Sequence, residues 1–281
     1  MAAEIEEASQ VSNVVIDGAA DAASITAERS KIVNEWIMHH VTDSQAWHLP
    51  FGIDFHLPDW MSNNAVMLIV GSAILLFVFG VLCRYRPGKA PSGWTNFLEA
   101  VVKFVRDDIC IANLGEEDGR KMAPIFLTFF FFIATLNLMG LIPLFSTATG
   151  NINVTLGLAT VTFLFMVFGA IYVNGPIGFI KTFIPSGIPW PVLIIIVPLE
   201  MVGVLIKCIA LTIRLFANMF AGHIIVFSLM GLVVTFGLPG SPGFLMALAI
   251  NMMEIFIALL QAYIFTLLSA MFIGQMYHPA H

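Results

Sequence analysis

Long uncharged apolar runs, parted by short polar or Gly/Pro-rich breaks, dominate the chain from residue 64 onward. The first, NAVMLIVGSAILLFVFGVL (64–82), is long enough to cross a hydrocarbon core about 30 Å thick as one helix. In WTNFLEAVVKFVR (94–106) the period changes: Trp94, Phe97, Val101, Phe104 and Val105 share one helical face, with Glu99, Lys103 and Arg106 elsewhere. That pattern predicts an amphipathic helix lying in the interface. PIFLTFFFFIATLNLMGLIPLF (124–145) and VTLGLATVTFLFMVFGAIYV (154–173), joined by the polar STATGNIN, predict a helical hairpin across the membrane. NGPIGFIKTFIPSGIPWP follows as a surface connection.

The run from Val192 to Phe236 contains no proline except Pro198. As one helix it would extend roughly 68 Å, about twice the thickness of the bilayer. It is either a hairpin with a hidden turn or one steeply tilted helix, and the lack of any cap or turn cluster favours the tilted helix. GLPGSPG (237–243) then reverses the chain, and a last helix runs from Phe244 to about Phe272, ending in the polar tail GQMYHPAH. The expected fold is an all-α integral membrane protein of about five crossings plus interfacial helices.

Composition agrees. Of 281 residues, 59% are hydrophobic and 11% charged, against about 25% charged in soluble domains. The acidic residues up to position 63 account for most of the net charge of −6, so that charge says nothing of nucleic acid, and no basic face interleaved with aromatics suggests such a partner. Residues 1–63 are expected to form an acidic segment outside the membrane, mobile to about residue 35, and residues 64–281 the membrane domain. EWIMHHVTDSQAWHLPFGIDFHLPDW (35–60) mixes Trp, His and Pro in a way that suits lipid headgroups. Its histidines are more simply interfacial than metal ligands. The opening MAAEIEEASQ lacks the apolar core of a signal peptide. RYRPGK (84–89), directly after the first span, places that end in the cytoplasm by the positive-inside rule. The N-terminus is then outside and the C-terminus inside. Cys83, Cys110 and Cys208 show no metal or disulfide spacing.

Five charges remain after residue 121, and Glu200, Lys207, Arg214 and Glu254 sit inside apolar runs. Each costs ~3 kcal/mol at the bilayer centre on insertion scales, so such groups usually pair or line an ion path. Glu200, Lys207 and Arg214 recur every seven residues and share a helical face with Gly203, Ala210, Ala217 and Ala221. Small residues of this kind let another helix come close, so Arg214 should project into a tight helix contact. Asn218 lies about 40° from Arg214, and His223 about 180° away. Asn251, Glu254, Ala258 and Gln261 form a second stripe on the last helix. Alternatives stand beside an ion path: Glu200 with Lys207 as a helix-pairing salt bridge, His223 as a satisfied core residue, and Glu254 as a structural partner of another helix.

IRLFANMFAGH (213–223), followed by MMEIFIALLQAYIFTLLSAMFI (252–273), resembles subunit a of the F-type rotary ATP synthases. LNLMGLIP (136–143), NVTLGLA (153–159) and MHH (38–40) match the same pattern in the same order. The resemblance implies two long helices tilted steeply around a ring of c subunits, with one aqueous half-channel open to each side. Arg214 corresponds to the essential arginine between the half-channels, His223 and Glu254 to the polar pair of the outer one, and Asn218 and Gln261 to polar residues near the arginine. Glu200 and Lys207 fall towards the inner half-channel, and Asn137 and Asn153 lie in the motifs of the outer hairpin. Implied partners are the c-ring, the peripheral-stalk b subunits, the remaining synthase subunits, protons and lipid, in the inner membrane of a bacterial cell. No cofactor or metal is implied.

The chain departs from the family pattern at Cys208, often proline, at Ala217, a common glycine, and at Gly140, where many members carry an acid. The order of His223 and Glu254 is the reverse of that in some bacterial members, which keeps one acid and one base. A proton-coupled secondary transporter is the rival class, but its paired broken helices in two repeats are not evident. A purely structural scaffold leaves an arginine among alanines unexplained. No phosphate loop, HExxH or Gly-x-Ser-x-Gly is present, so catalysis on nucleotides would belong to partner subunits.

Overall fold

The computed structural model describes residues 24–32, 35, 46–49, 53–56, 62–82, 93–142, 145, 147–184, 189–237 and 241–278. RYRPGK, MHH and most of the acidic tail lie outside the described residues. Residues 24–32 are helical. The Trp/His/Pro segment contributes a short antiparallel hairpin, β1 (Ala46–Leu49) with β2 (Ile53–His56). Among the described residues all other regular structure is helical, and five helices are long and apolar enough to cross a membrane. The chain is an all-α membrane fold.

Helix α1 (Asn63–Phe77) starts on Ser62, whose hydroxyl accepts from the Ala65 amide at 3.4 Å. It ends in a π-helical turn, Val78–Leu82. Helix α2 (Trp94–Phe104) has no buried residue, and Trp94 and Phe97 are exposed. It runs on as a π-helical stretch, Val105–Ile111, which turns Val105, Ile109 and Cys110 into the core and leaves Asp107 and Asp108 outside. Arg106 there grips Asp107 at 2.7 Å and holds that carboxyl below the usual range.

Helix α3 (Glu116–Gly140) begins with three acidic residues, which suit the positive end of the helix dipole. Helix α4 (Ile152–Thr182) is longer than the expected span. Gly175, at φ 73°, kinks it, and Pro176 restarts the helix, so the expected surface connection is helical as far as Thr182. Helix α5 (Trp190–Phe236) is a single 47-residue helix through Pro198, and α6 (Ser241–Tyr277) extends five residues beyond the expected end.

Two compact units divide the described chain: residues 1–42 with 221–253, and residues 43–220 with 254–281. In the first, the ends of α5 and α6 form a close hairpin after Gly237, at φ 65°. A Cβ on Gly243 would stand 3.2 Å from the Leu229 carbonyl.

The second unit holds the main core: Phe126, Phe129 and Ile133 of α3, Met166 and Ala170 of α4, Leu211 and Leu215 of α5, and Phe265 and Ile273 of α6. Polar pins set the register. The Thr162 and Ser269 hydroxyls meet at 3.2 Å. Farther along both helices, Asn174 donates to the Met276 and Tyr277 carbonyls at 3.0 and 3.2 Å, so α4 and α6 run the same way. Phe104 stacks on Tyr263, and Gly274 lies against the Asn113 carbonyl. Residues 104–113 therefore run beside α6.

Candidate functional site

Arg214 is exposed on α5. Among the described residues its guanidinium forms no hydrogen bond or ion pair, so no carboxylate of this unit locks it. Ala210 and Ala217, a turn to either side, are exposed too, and a Cβ on Gly203 would meet nothing within 4 Å. The close helix contact expected at this stripe is not made within the unit. The reason is the orientation of α5: Val204, Cys208, Leu211 and Leu215 turn towards the core, roughly 100° from Arg214. Asn218 is half-buried.

Lys207 departs from the salt-bridge alternative. Its ammonium donates to Gln275 Oε1 at 2.9 Å and lies 5.2 Å from the centre of the Phe272 ring, while Glu200 stays exposed and forms no ion pair with it. Neither Gln275 nor Phe272 was legible as a partner, because the sequence around them reads as the frayed end of a helix.

Lys207 and Cys208 are anchored at different heights. The Cys208 thiol donates to the Ala159 carbonyl at 3.4 Å. Ala159 precedes Thr162 by about 4.5 Å of helix rise, and Gln275 follows Ser269 by about 9 Å. Since Thr162 and Ser269 touch, the two anchors lie roughly 13 Å apart along α4 and α6. Neighbours on a helix running alongside would differ by about 1.5 Å in height. The Lys207 and Gln275 side chains, reaching towards each other, take up most of that difference.

The polar stripe on α6 faces inward: Glu254 and Gln261 are buried, and Ala258 between them is fully buried. Asn137 of α3, also fully buried, donates to the Ala258 carbonyl at 3.1 Å. Its own Oδ1 has no partner among the described residues. Asn153 is not brought to this group. It is exposed in the first turn of α4, where its amide donates to Asn151 Oδ1 at 2.9 Å. Gly140 is packed against Thr147, whose Cγ2 would stand 3.0 Å from an added Cβ. In the other unit the His223 ring is half-buried and meets Phe227 edge-on at 5.9 Å. No group of three or more His, Cys, Asp or Glu able to hold a metal occurs among the described residues.

A family model described as ATP synthase A chain matches residues 65–274. The chain is 45% identical over 256 residues to ATP synthase subunit a of Chloroherpeton thalassium, an alignment that covers 85% of this chain and 75% of that one. It is 41% identical over 258 residues to ATP synthase subunit a 2 of Chlorobium luteolum, covering 85% and 74%. Against ATP synthase subunit a 2 of Prosthecochloris aestuarii it is 39% identical over 276 residues, covering 91% and 83%. With three-quarters of its length matched by the family and its apolar spans and polar stripes borne on the matching residues, the chain belongs to the ATP synthase A chain family.

Proposed function

We propose that this chain is the ion-translocating stator subunit in the membrane sector of a rotary ATP synthase, itself without catalytic activity on nucleotides. The observation that carries this is Arg214: a permanent cation exposed on a face of small and apolar residues that its own unit leaves uncovered. Beside it Ala210, Ile213 and Ala217 are exposed as well. Such a face suits a rotor that slides past it, a ring of small hairpin subunits each carrying one carboxylate. An unbroken 47-residue α5, about twice the bilayer thickness as one helix, supports a helix tilted in the bilayer and curved along that ring.

On this reading protons enter from outside along His223 and Glu254, with Asn137 on the outer hairpin, and neutralise a ring carboxylate. Once neutral, that carboxylate can turn through lipid. Reaching Arg214 from the other side, past Asn218 and Gln261, it ionises beside the guanidinium and gives its proton to an inner path flanked by Glu200 and Lys207. An arginine cannot be deprotonated in a protein, so it also keeps protons from passing directly between the two paths. One charge moving through 100 mV yields ~2.3 kcal/mol, hence several protons serve each ATP. Peripheral-stalk b subunits would hold the chain against the torque. The N-terminal segment lies outside a bacterial inner membrane and the C-terminus in the cytoplasm.

The test is ATP-driven proton pumping by membrane vesicles carrying Arg214→Ala. Pumping is expected to vanish while ATP hydrolysis by the detached catalytic head persists. Normal pumping would reject the proposal.

A further inference from the structure

Lys207 is held at a fixed place, and that place has an electrostatic consequence. An ammonium on a flexible stem usually wanders towards water. Here Gln275 accepts from it at 2.9 Å and the Phe272 ring lies 5.2 Å beneath it, two restraints from one turn of α6. That turn is itself pinned. Asn174 binds the Met276 and Tyr277 carbonyls, and His278 reaches Asp118 at 3.2 Å among the charged, exposed residues that open α3. Lys207 is therefore tied to the end of the bundle where α3 begins and α6 ends, which is the inner end in the orientation proposed above. Arg214 lies on the same face of α5, seven residues on, about 10 Å by helix rise.

We infer that Lys207, positioned by Gln275 and Phe272, is a fixed positive charge at the mouth of the inner proton path, and that it tunes the proton concentration at which that path loads the ring. The inference rests on the proton-path reading of Arg214. A positive charge at the mouth lowers the local proton concentration, which favours release inward and makes uptake from the inner side harder. Other ionisable groups lie at this end. Glu200, Cys208 and Arg214 share α5 with Lys207; α6 ends with Tyr277, followed by His278, which is engaged with Asp118 of α3; Glu116 and Glu117 at the start of α3 are paired with Arg120 and Lys121; and α4 offers Lys181 near its end. Lys207 acts on the path without touching the reacting carboxylate, so it is a positioning residue.

The experiment uses the intact synthase in inverted vesicles. ATP-driven pumping is followed across a range of pH on the exposed inner face, with each rate divided by uncoupled ATP hydrolysis at the same pH. Lys207→Gln is expected to move the half-maximal point towards higher pH by about a third of a unit, a roughly twofold change in proton concentration, as fits one charge about 10 Å away in water. Gln275→Glu keeps the lysine but neutralises it locally and should shift the profile the same way, so the test survives if Lys207→Gln fails to assemble. Lys207→Arg should restore the native profile. A uniform loss of rate without a pH shift, or unchanged profiles in both variants, overturns the inference. If Arg214→Ala is inactive and these profiles do not move, only the role of Lys207 falls; if Arg214→Ala pumps normally, the reading beneath it falls as well.

Discussion

The side-chain amide of Asn137 donates 3.1 Å to the carbonyl of Ala258, fastening the last turn of α3 to the face of α6 that carries Glu254 and Gln261. Both residues are fully buried, and the carbonyl belongs to a helix, so the bond is an addition to the α6 ladder. Asn137→Leu should cost only about 1 kcal/mol, because it removes one hydrogen bond together with an unpartnered buried oxygen. Asn137→Asp should be far worse, since it introduces a buried charge with no cation beside it. The amount of assembled synthase in membranes and its thermal inactivation midpoint would rank the two, and the reverse order would be incompatible with this packing.

Gly169 and Tyr277 make a second testable pair. A Cβ on Gly169 would collide with the Tyr277 hydroxyl. Gly169→Ala should therefore destabilise by about 1–3 kcal/mol, the usual cost of overpacking. In a background of Tyr277→Ala the same change should cost little, giving a positive coupling in a double-mutant cycle. Additive effects on thermal stability would mean that the two do not touch.

Cys110 should be chemically silent. Burial, with a smaller push from Asp107, raises its thiol to about 12. Maleimide at pH 8 should leave it unlabelled in the native complex and label it after denaturation, because the thiolate is the reactive species. The linkage has a definite sign. Above the ordinary thiol value of 9.0 the unfolded chain releases its proton and the folded chain does not, so the unfolded state binds fewer protons. The stability that Cys110 contributes should fall as pH rises from 9.0 towards 12, and Cys110→Ala should flatten that part of the profile. Equal slopes with and without the thiol would contradict this placement.

Arg214→Lys should not replace the native residue. Both are cations, but an ammonium in a dry site can lose its proton and lacks the planar fork that grips a carboxylate. Pumping is expected to drop at least tenfold, with the residual rate higher at low pH, where lysine stays charged. Full coupling at pH 8 in that variant would show that charge alone suffices.

The five long apolar helices, the break at Gly237 and the common face of Glu254, Ala258 and Gln261 could be read directly from the sequence. Apolar run length and helical periodicity are local properties, and a bilayer or a core imposes them residue by residue. Motif order likewise pointed to the family. Three features needed the tertiary structure: Lys207 is held by Gln275 rather than by Glu200, Asn137 reaches Ala258, and residues 104–113 run beside α6. Each joins positions 68, 121 or more than 150 residues apart. A helical wheel gives the direction in which a side chain points but not the neighbour it meets, and in a membrane fold that neighbour depends on how whole helices cross. The small-residue stripe around Arg214 shows the difference. The sequence alone placed a close contact on that face, and only the packed chain showed that its own unit leaves the face uncovered, because α5 turns a flank roughly 100° away towards the core.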